Sequence, residues 1–179
     1  PVYPIGVEGR KGSLGSYYSV RDYCAVDPCL GTMEDFDAFV AEAHRLGMKV
    51  LLDWIANHTA RDARWVTEKP ASWYERDASG APAVPWDWTD TAKLNYAERE
   101  VWRAQGDAME FWVREHGVDG FRCDMAMLVP IEFWNETAQR LRRVKPDLFM
   151  LAEAEETYLF DGGAFDACYA WEMHHLMND

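Results

Sequence analysis

Basic residues are scarce in this 179-residue sequence: 18 Lys and Arg stand against 31 Asp and Glu, giving a formal net charge of −13. That balance argues against nucleic acid as a partner, because a phosphate backbone needs a basic footprint. Long apolar runs are missing as well. None approaches the roughly 20 residues of a membrane-spanning helix, so no membrane partner is expected. Cysteine is limited to Cys24, Cys29, Cys123 and Cys168, with no metal-type spacing and only Cys24–Cys29 as a close pair. Free thiols of this kind favour a soluble, cytoplasmic protein over a disulfide-stapled secreted one. There is no short repeat and no low-complexity tract. Nothing in the sequence speaks to oligomeric state.

What the sequence does contain is core. Hydrophobic residues make up 49%, enough for one real domain, and nine Trp and eight Tyr are many for this length. Such aromatics serve either as core or as flat surfaces for stacking sugars.

The chain is organised around Gly117-Val118-Asp119-Gly120-Phe121-Arg122-Cys123-Asp124. Gly117 ends a helical pattern that starts at Glu98, in the manner of a C′ glycine. Val118 to Cys123 reads as a short buried strand. Arg122 and Asp124 are two apart, so an extended chain points both to the same side. A guanidinium there keeps the carboxylate ionised, as a nucleophilic aspartate must be. A plain structural Arg–Asp pair fits equally well.

Around that stretch the chain alternates. Pro1 to Gly31 is loop-like. A helix follows Thr32, with Asp35 three positions on as in a capping box and Phe36, Phe39, Val40 and Ala43 on one face. Met48 to Ile55 reads as a buried strand ending at Asn57 and His58. Residues 59–95, rich in Trp, Pro, Gly and Asp, are too long for a bare connection and are expected to form a small inserted subdomain. Pro130 opens another helix. Leu148 to Ala152 is a strand tipped by Glu153, and Phe165 to Trp171 is read as one more strand. Helix–strand alternation means parallel strands under covering helices, the α/β class. Three successive strands end in polar residues: Asp53, Asn57 and His58; Arg122 and Asp124; and Glu153. The carboxyl edge of such a sheet is where sites form.

Two carboxylates facing one cleft are the equipment of glycoside hydrolysis, about 5–5.5 Å apart when the mechanism retains configuration. Asp124 beside Arg122 suits the nucleophile. Glu153, with no neighbouring cation in the sequence and Asp124 across the cleft, suits the acid/base. Glu153 also fits an acidic helix N-terminus, since Glu155 and Glu156 follow it. Asp53, Asn57 and His58 admit calcium ligation, sugar binding or simple support of the loops above them.

These residues resemble the signatures of the α-amylase family of glycoside hydrolases. Asp53-Trp54-Ile55-Ala56-Asn57-His58 matches Asp-x-Val-x-Asn-His with Ile for Val, and Gly120-Phe121-Arg122-Cys123-Asp124 matches Gly-Phe-Arg-x-Asp. Leu151-Ala152-Glu153-Ala154 resembles the third signature. Tyr18-Ser19-Val20-Arg21-Asp22-Tyr23 and Leu94-Asn95-Tyr96 resemble two further motifs, all in the family's order.

The resemblance implies a (β/α)8 TIM barrel, of which this chain supplies the middle, about strands three to six, with a short insertion after the third. It implies cleavage of α-glucosidic bonds in oligosaccharides or α-glucans with retention. Asp124 would be the nucleophile, Glu153 the acid/base and Arg122 the residue holding the nucleophile. Tyr18 and His58 would bind the sugar, Asp53 would support the site, and Asn57 matches a calcium ligand of many members. The chemistry itself needs no cofactor.

Two features depart from the pattern. Leu128 stands where the second signature often has His, on the leaving-group side. The fourth signature, with its transition-state-stabilising aspartate, lies beyond this stretch, which implies a longer protein. A non-catalytic barrel serving as a binding module is the alternative. A metal-dependent hydrolase using Asp53, His58 and Asp124 matches no metal spacing.

Overall fold

The computed structural model describes residues 1–178. Its centre is a four-stranded parallel sheet in the order β1 (Leu51–Trp54), β4 (Gly120–Cys123), β5 (Phe149–Ala152), β6 (Ala167–Cys168). The main covering helices are α1 (Met33–Arg45), α3 (Arg99–His116) and α4 (Ile131–Val144). This is the arc of parallel strands that the middle of a barrel provides.

Period-2 alternation splits the strands into two faces. Leu52, Trp54, Phe121, Cys123, Met150 and Ala152 are buried in one core with Val40 of α1, Trp112 of α3 and Phe133 and Leu141 of α4. Burying each large side chain contributes on the order of 2 kcal/mol. The other face carries Asp53 and Arg122, which are direct partners in the β1–β4 register.

Local chemistry sets the ends of the elements. Thr32 and Asp35 form a reciprocal capping box at the start of α1. Gly117 caps α3 in the left-handed region at φ 68°, where a Cβ is disfavoured. Asp119 is buried and accepts from the Val50 amide at 2.8 Å, His44 at 2.7 Å and Lys145 at 2.9 Å. Burial opposes its charge, but those donors win and hold the carboxyl well below the usual range. It locks the amino-terminal ends of β1 and β4 together.

Gly120 is a different matter. A Cβ there would lie 1.9 Å from the Phe149 carbonyl oxygen of the neighbouring strand. Gly120→Ala is therefore expected to destabilise by about 3 kcal/mol or more, the top of the range for overpacking. A denaturant midpoint unmoved by the substitution would show that β4 and β5 can part at no cost.

Four expectations are corrected. Phe39 does not join the buried face of α1: it lies at the edge of the Phe36–Val40–Ala43 stripe and is 59% exposed. The strand foreseen from Val118 starts only at Gly120. The strand foreseen over Phe165–Trp171 is confined to Ala167–Cys168, and Trp171 opens a helix, α5 (Trp171–Asn178). A short apolar run carries no period to tell the two apart. Finally, His58 is not merely the tip of β1. It begins β2 (His58–Ala60), which pairs antiparallel with β3 (Thr91–Lys93).

That pairing closes the neck of the 59–95 excursion, which also contains the short helix α2 (Arg64–Glu68). Trp73, Tyr74, Ala92 and Leu94 form a satellite core there with Val101. All four cysteines are free. Among the described residues no helix is long and apolar enough to cross a membrane.

Candidate active site

Parallel register places the functional groups. Asp53 on β1 and Arg122 on β4 are neighbours, and Asp124 and Glu153 follow the ends of β4 and β5. Arg122 therefore sits among three carboxylates. Its Nη1 donates to Asp53 Oδ1 at 2.7 Å and to Asp124 Oδ1 at 3.1 Å, and its Nη2 reaches Glu153 Oε1 at 2.6 Å. Its Nε donates to the Tyr169 hydroxyl at 3.1 Å. The planar fork is the only basic side chain that meets such a spread of partners. Burial works against the guanidinium's charge, but the hydrogen bonds it donates to Tyr169 and Asp53 outweigh it and raise the pKa further.

Two electrostatic expectations change. Glu153 does have a cation, Arg122, supplied across the sheet from β4 and not from its own neighbours in sequence. Asp124 is not held fully ionised by Arg122. Burial, first, and the Glu153 charge, second, push its carboxyl up to about 7 against the pull of Arg122. One guanidinium cannot neutralise three carboxylates, so the Asp124–Glu153 pair keeps a proton near neutrality, and that proton belongs to the pair.

The surroundings fix the rest. The Tyr18 hydroxyl donates to Asp53 Oδ2 at 2.9 Å, and burial and that bond push its pKa up to about 12. Burial lowers His58 to about 4, so the ring is neutral. Its Nε2 lies 3.2 Å from the Tyr18 carbonyl and its Nδ1 3.2 Å from the Asn57 amide nitrogen. The first must be the donor and the second the acceptor, which selects the Nε2–H tautomer.

The Asn57 side-chain nitrogen is thus committed to His58, and its backbone carbonyl accepts from the Leu94 amide at 3.1 Å. Among the described residues no group of three or more His, Cys, Asp or Glu side chains is placed to hold a metal ion.

Tyr18, His58, Arg122, Asp124 and Glu153 line one cavity of about 520 Å³, together with Trp88 and Asp90. Asp53 supports it from behind through Tyr18 and Arg122. Sequence reasoning missed Tyr169, which braces Arg122, and Met125. The Met125 amide donates to Glu153 Oε2 at 3.0 Å from a left-handed conformation, φ 43°. A methionine gives no sequence sign of a positive φ, so this contact had no signal to find it by.

Known proteins have the same arrangement of chain. The family described as "Alpha amylase, catalytic domain" matches residues 10–89. An alpha-1,4-glucan:maltose-1-phosphate maltosyltransferase of Arcanobacterium haemolyticum is 36% identical over 175 residues, covering 86% of this chain and 25% of its own length. A noncanonic maltogenic alpha-amylase, AmyB, from Thermotoga neapolitana superposes with a TM-score of 0.91 at 40% identity over all of this chain and 41% of that one. An alpha-amylase from Lactobacillus plantarum superposes equally well, TM-score 0.91, at 36% identity, over all of this chain and 46% of that one. The chain thus spans about a quarter of the length of the maltosyltransferase and less than half of the solved amylases.

Proposed function

Because the chain belongs to the α-amylase family of glycoside hydrolases, we propose that it carries the nucleophile and the acid/base of a retaining enzyme acting on α-glucosidic bonds. The observation that supports this reading is the single guanidinium shared by Asp53, Asp124 and Glu153 at the floor of the cavity. A carboxylate pair that retains one proton supplies both partners of a double displacement.

In the first step an Asp124 oxygen bonds to the anomeric carbon while the bond to the leaving oxygen breaks, and Glu153 gives that oxygen its proton. In the second step Glu153 takes a proton from the acceptor hydroxyl, the acceptor oxygen bonds to the anomeric carbon, and the Asp124 ester is released. Water as acceptor makes the enzyme a hydrolase. A sugar makes it a transglycosidase. Relatives of this chain carry names of both kinds. Arg122 holds both carboxyls in place, Tyr18 offers a ring face to the sugar, and His58 walls the same cavity as a neutral ring. Residues 59–95 act as the inserted subdomain that contributes Trp88 to that wall.

Covalent trapping tests the reading. The complete protein is incubated with an activated, fluorinated α-glucosyl donor, and its peptides are mapped by mass spectrometry. A glycosyl mass gain on the peptide bearing Asp124 is expected. A catalytically active protein labelled elsewhere, or never labelled, would overturn the assignment.

A further inference from the structure

Tyr169 reaches Glu153 from two directions. Its amide donates to the Ala154 carbonyl at 3.0 Å and to the Ala152 carbonyl at 3.3 Å, the residues on either side of Glu153. Its hydroxyl lies 3.1 Å from Arg122 Nε. A guanidinium only donates, so the phenol oxygen is the acceptor. Arg122 Nη2 in turn holds Glu153 Oε1 at 2.6 Å. The contacts close a ring. They run from the backbone around Glu153 to the Tyr169 amide, from the Tyr169 hydroxyl to Arg122, and from Arg122 back to the Glu153 carboxyl.

The carboxyl groups alone do not hold the guanidinium in this place. Nη1 serves Asp53 and Asp124, and Nη2 serves Glu153. In the first displacement Asp124 must be ionised and Glu153 must carry the proton. Coulomb attraction then pulls on the Nη1 side and is weakest at Glu153, at the moment when Glu153 has to be in position. The Nε bond opposes that swing. Nε carries a single hydrogen, so one acceptor sets its direction, and the planar group carries Nη2 with it. A neutral hydroxyl suits the position, because a further carboxylate would compete with Asp124 for the positive charge. The anchor is itself held. The Tyr169 ring packs edge to face on Trp171, centroids 4.9 Å apart, and Arg122 Cζ lies 5.7 Å from its centre. β6 is only two residues long, and the Tyr169 amide extends its pairing with β5 past Cys168.

We infer that Tyr169 is the positioning residue of the acid/base: its hydroxyl, acting through Arg122, holds the Glu153 carboxyl where the leaving oxygen is protonated. This rests on the reading of Glu153 as the acid/base. The test compares Tyr169→Phe with the parent, in the complete protein, on maltohexaose and on α-maltosyl fluoride. A sugar leaving group needs the Glu153 proton. Fluoride departs with little help from an acid. Phenylalanine keeps the amide contacts and the ring and removes the hydroxyl alone.

The kcat/KM for maltohexaose is expected to fall roughly 10- to 30-fold, and that for the fluoride by no more than about 3-fold. A merely structural tyrosine would not separate the two substrates. Equal losses on both would mean that the hydroxyl supports the site as a whole, and no loss on either that Arg122 keeps its place unaided. Both results overturn the proposal and leave the catalytic reading standing. A parent that consumes the fluoride alone has no working acid, and one that consumes neither substrate has no catalysis. Each of these sinks the catalytic reading, and the role of Tyr169 with it.

Discussion

Asp124→Asn is expected to lower kcat on α-glucosidic substrates by roughly 10⁴-fold, as loss of a nucleophile does when the rest of the site survives. It should also make the protein more resistant to unfolding at alkaline pH. The two effects have one cause. The Asp124 carboxyl is buried beside Glu153 and its pKa stands at about 7, above the value near 3.9 expected of an unfolded chain. A raised native pKa means that the folded state binds the proton more tightly. The stability this contributes is complete below about pH 4 and is lost as pH climbs through 7. Asparagine cannot ionise, so the variant escapes that loss. Calorimetric Tm values at pH 5 and pH 8 check this: the parent should lose more than the variant between them. Parallel losses would place the pH dependence elsewhere. In the proposed mechanism the same titration limits turnover, so kcat/KM of the parent should fall above about pH 7 as the pair surrenders its shared proton.

Much of this site is legible in the sequence because it follows from short-range rules. Asp53 and Arg122 meet because each stands on the same face of its strand and the two strands are parallel and in register. The Thr32–Asp35 cap and Gly117 mark their helices through local hydrogen bonding and φ preference alone. What escapes is set by contacts between distant segments. The Arg122–Glu153 pair joins different strands, so a reading that looked only at sequence neighbours left Glu153 without a cation. The β2–β3 neck needs His58 to find Lys93 across 35 residues, and no turn signal announces it. The upward shift of Asp124 also depends on burial, a property of the assembled cavity. A short signature can say that Arg and Asp are adjacent, but not which of desolvation and attraction prevails.

Arg122→Lys should cost nearly as much activity as loss of the nucleophile, on the order of 10³-fold in kcat/KM, although it conserves charge. The guanidinium reaches Asp53 and Asp124 through Nη1, Glu153 through Nη2 and Tyr169 through Nε. An ammonium is one point on a flexible stem and cannot hold both members of the pair and their support at once. The pair would then lose its fixed separation, which the in-line attack and protonation both require. Arg122→Met goes further and leaves Asp53, Asp124 and Glu153 with no cation, at an expected cost of about 3–5 kcal/mol in stability. The pH profile separates positioning from general damage. Withdrawing or displacing the positive charge must raise the carboxyl pKa values, so the alkaline limb should move to higher pH in both variants, most in Arg122→Met. An activity loss of the same size with an unmoved limb would mean that Arg122 shapes the cavity without tuning the proton that the reaction uses.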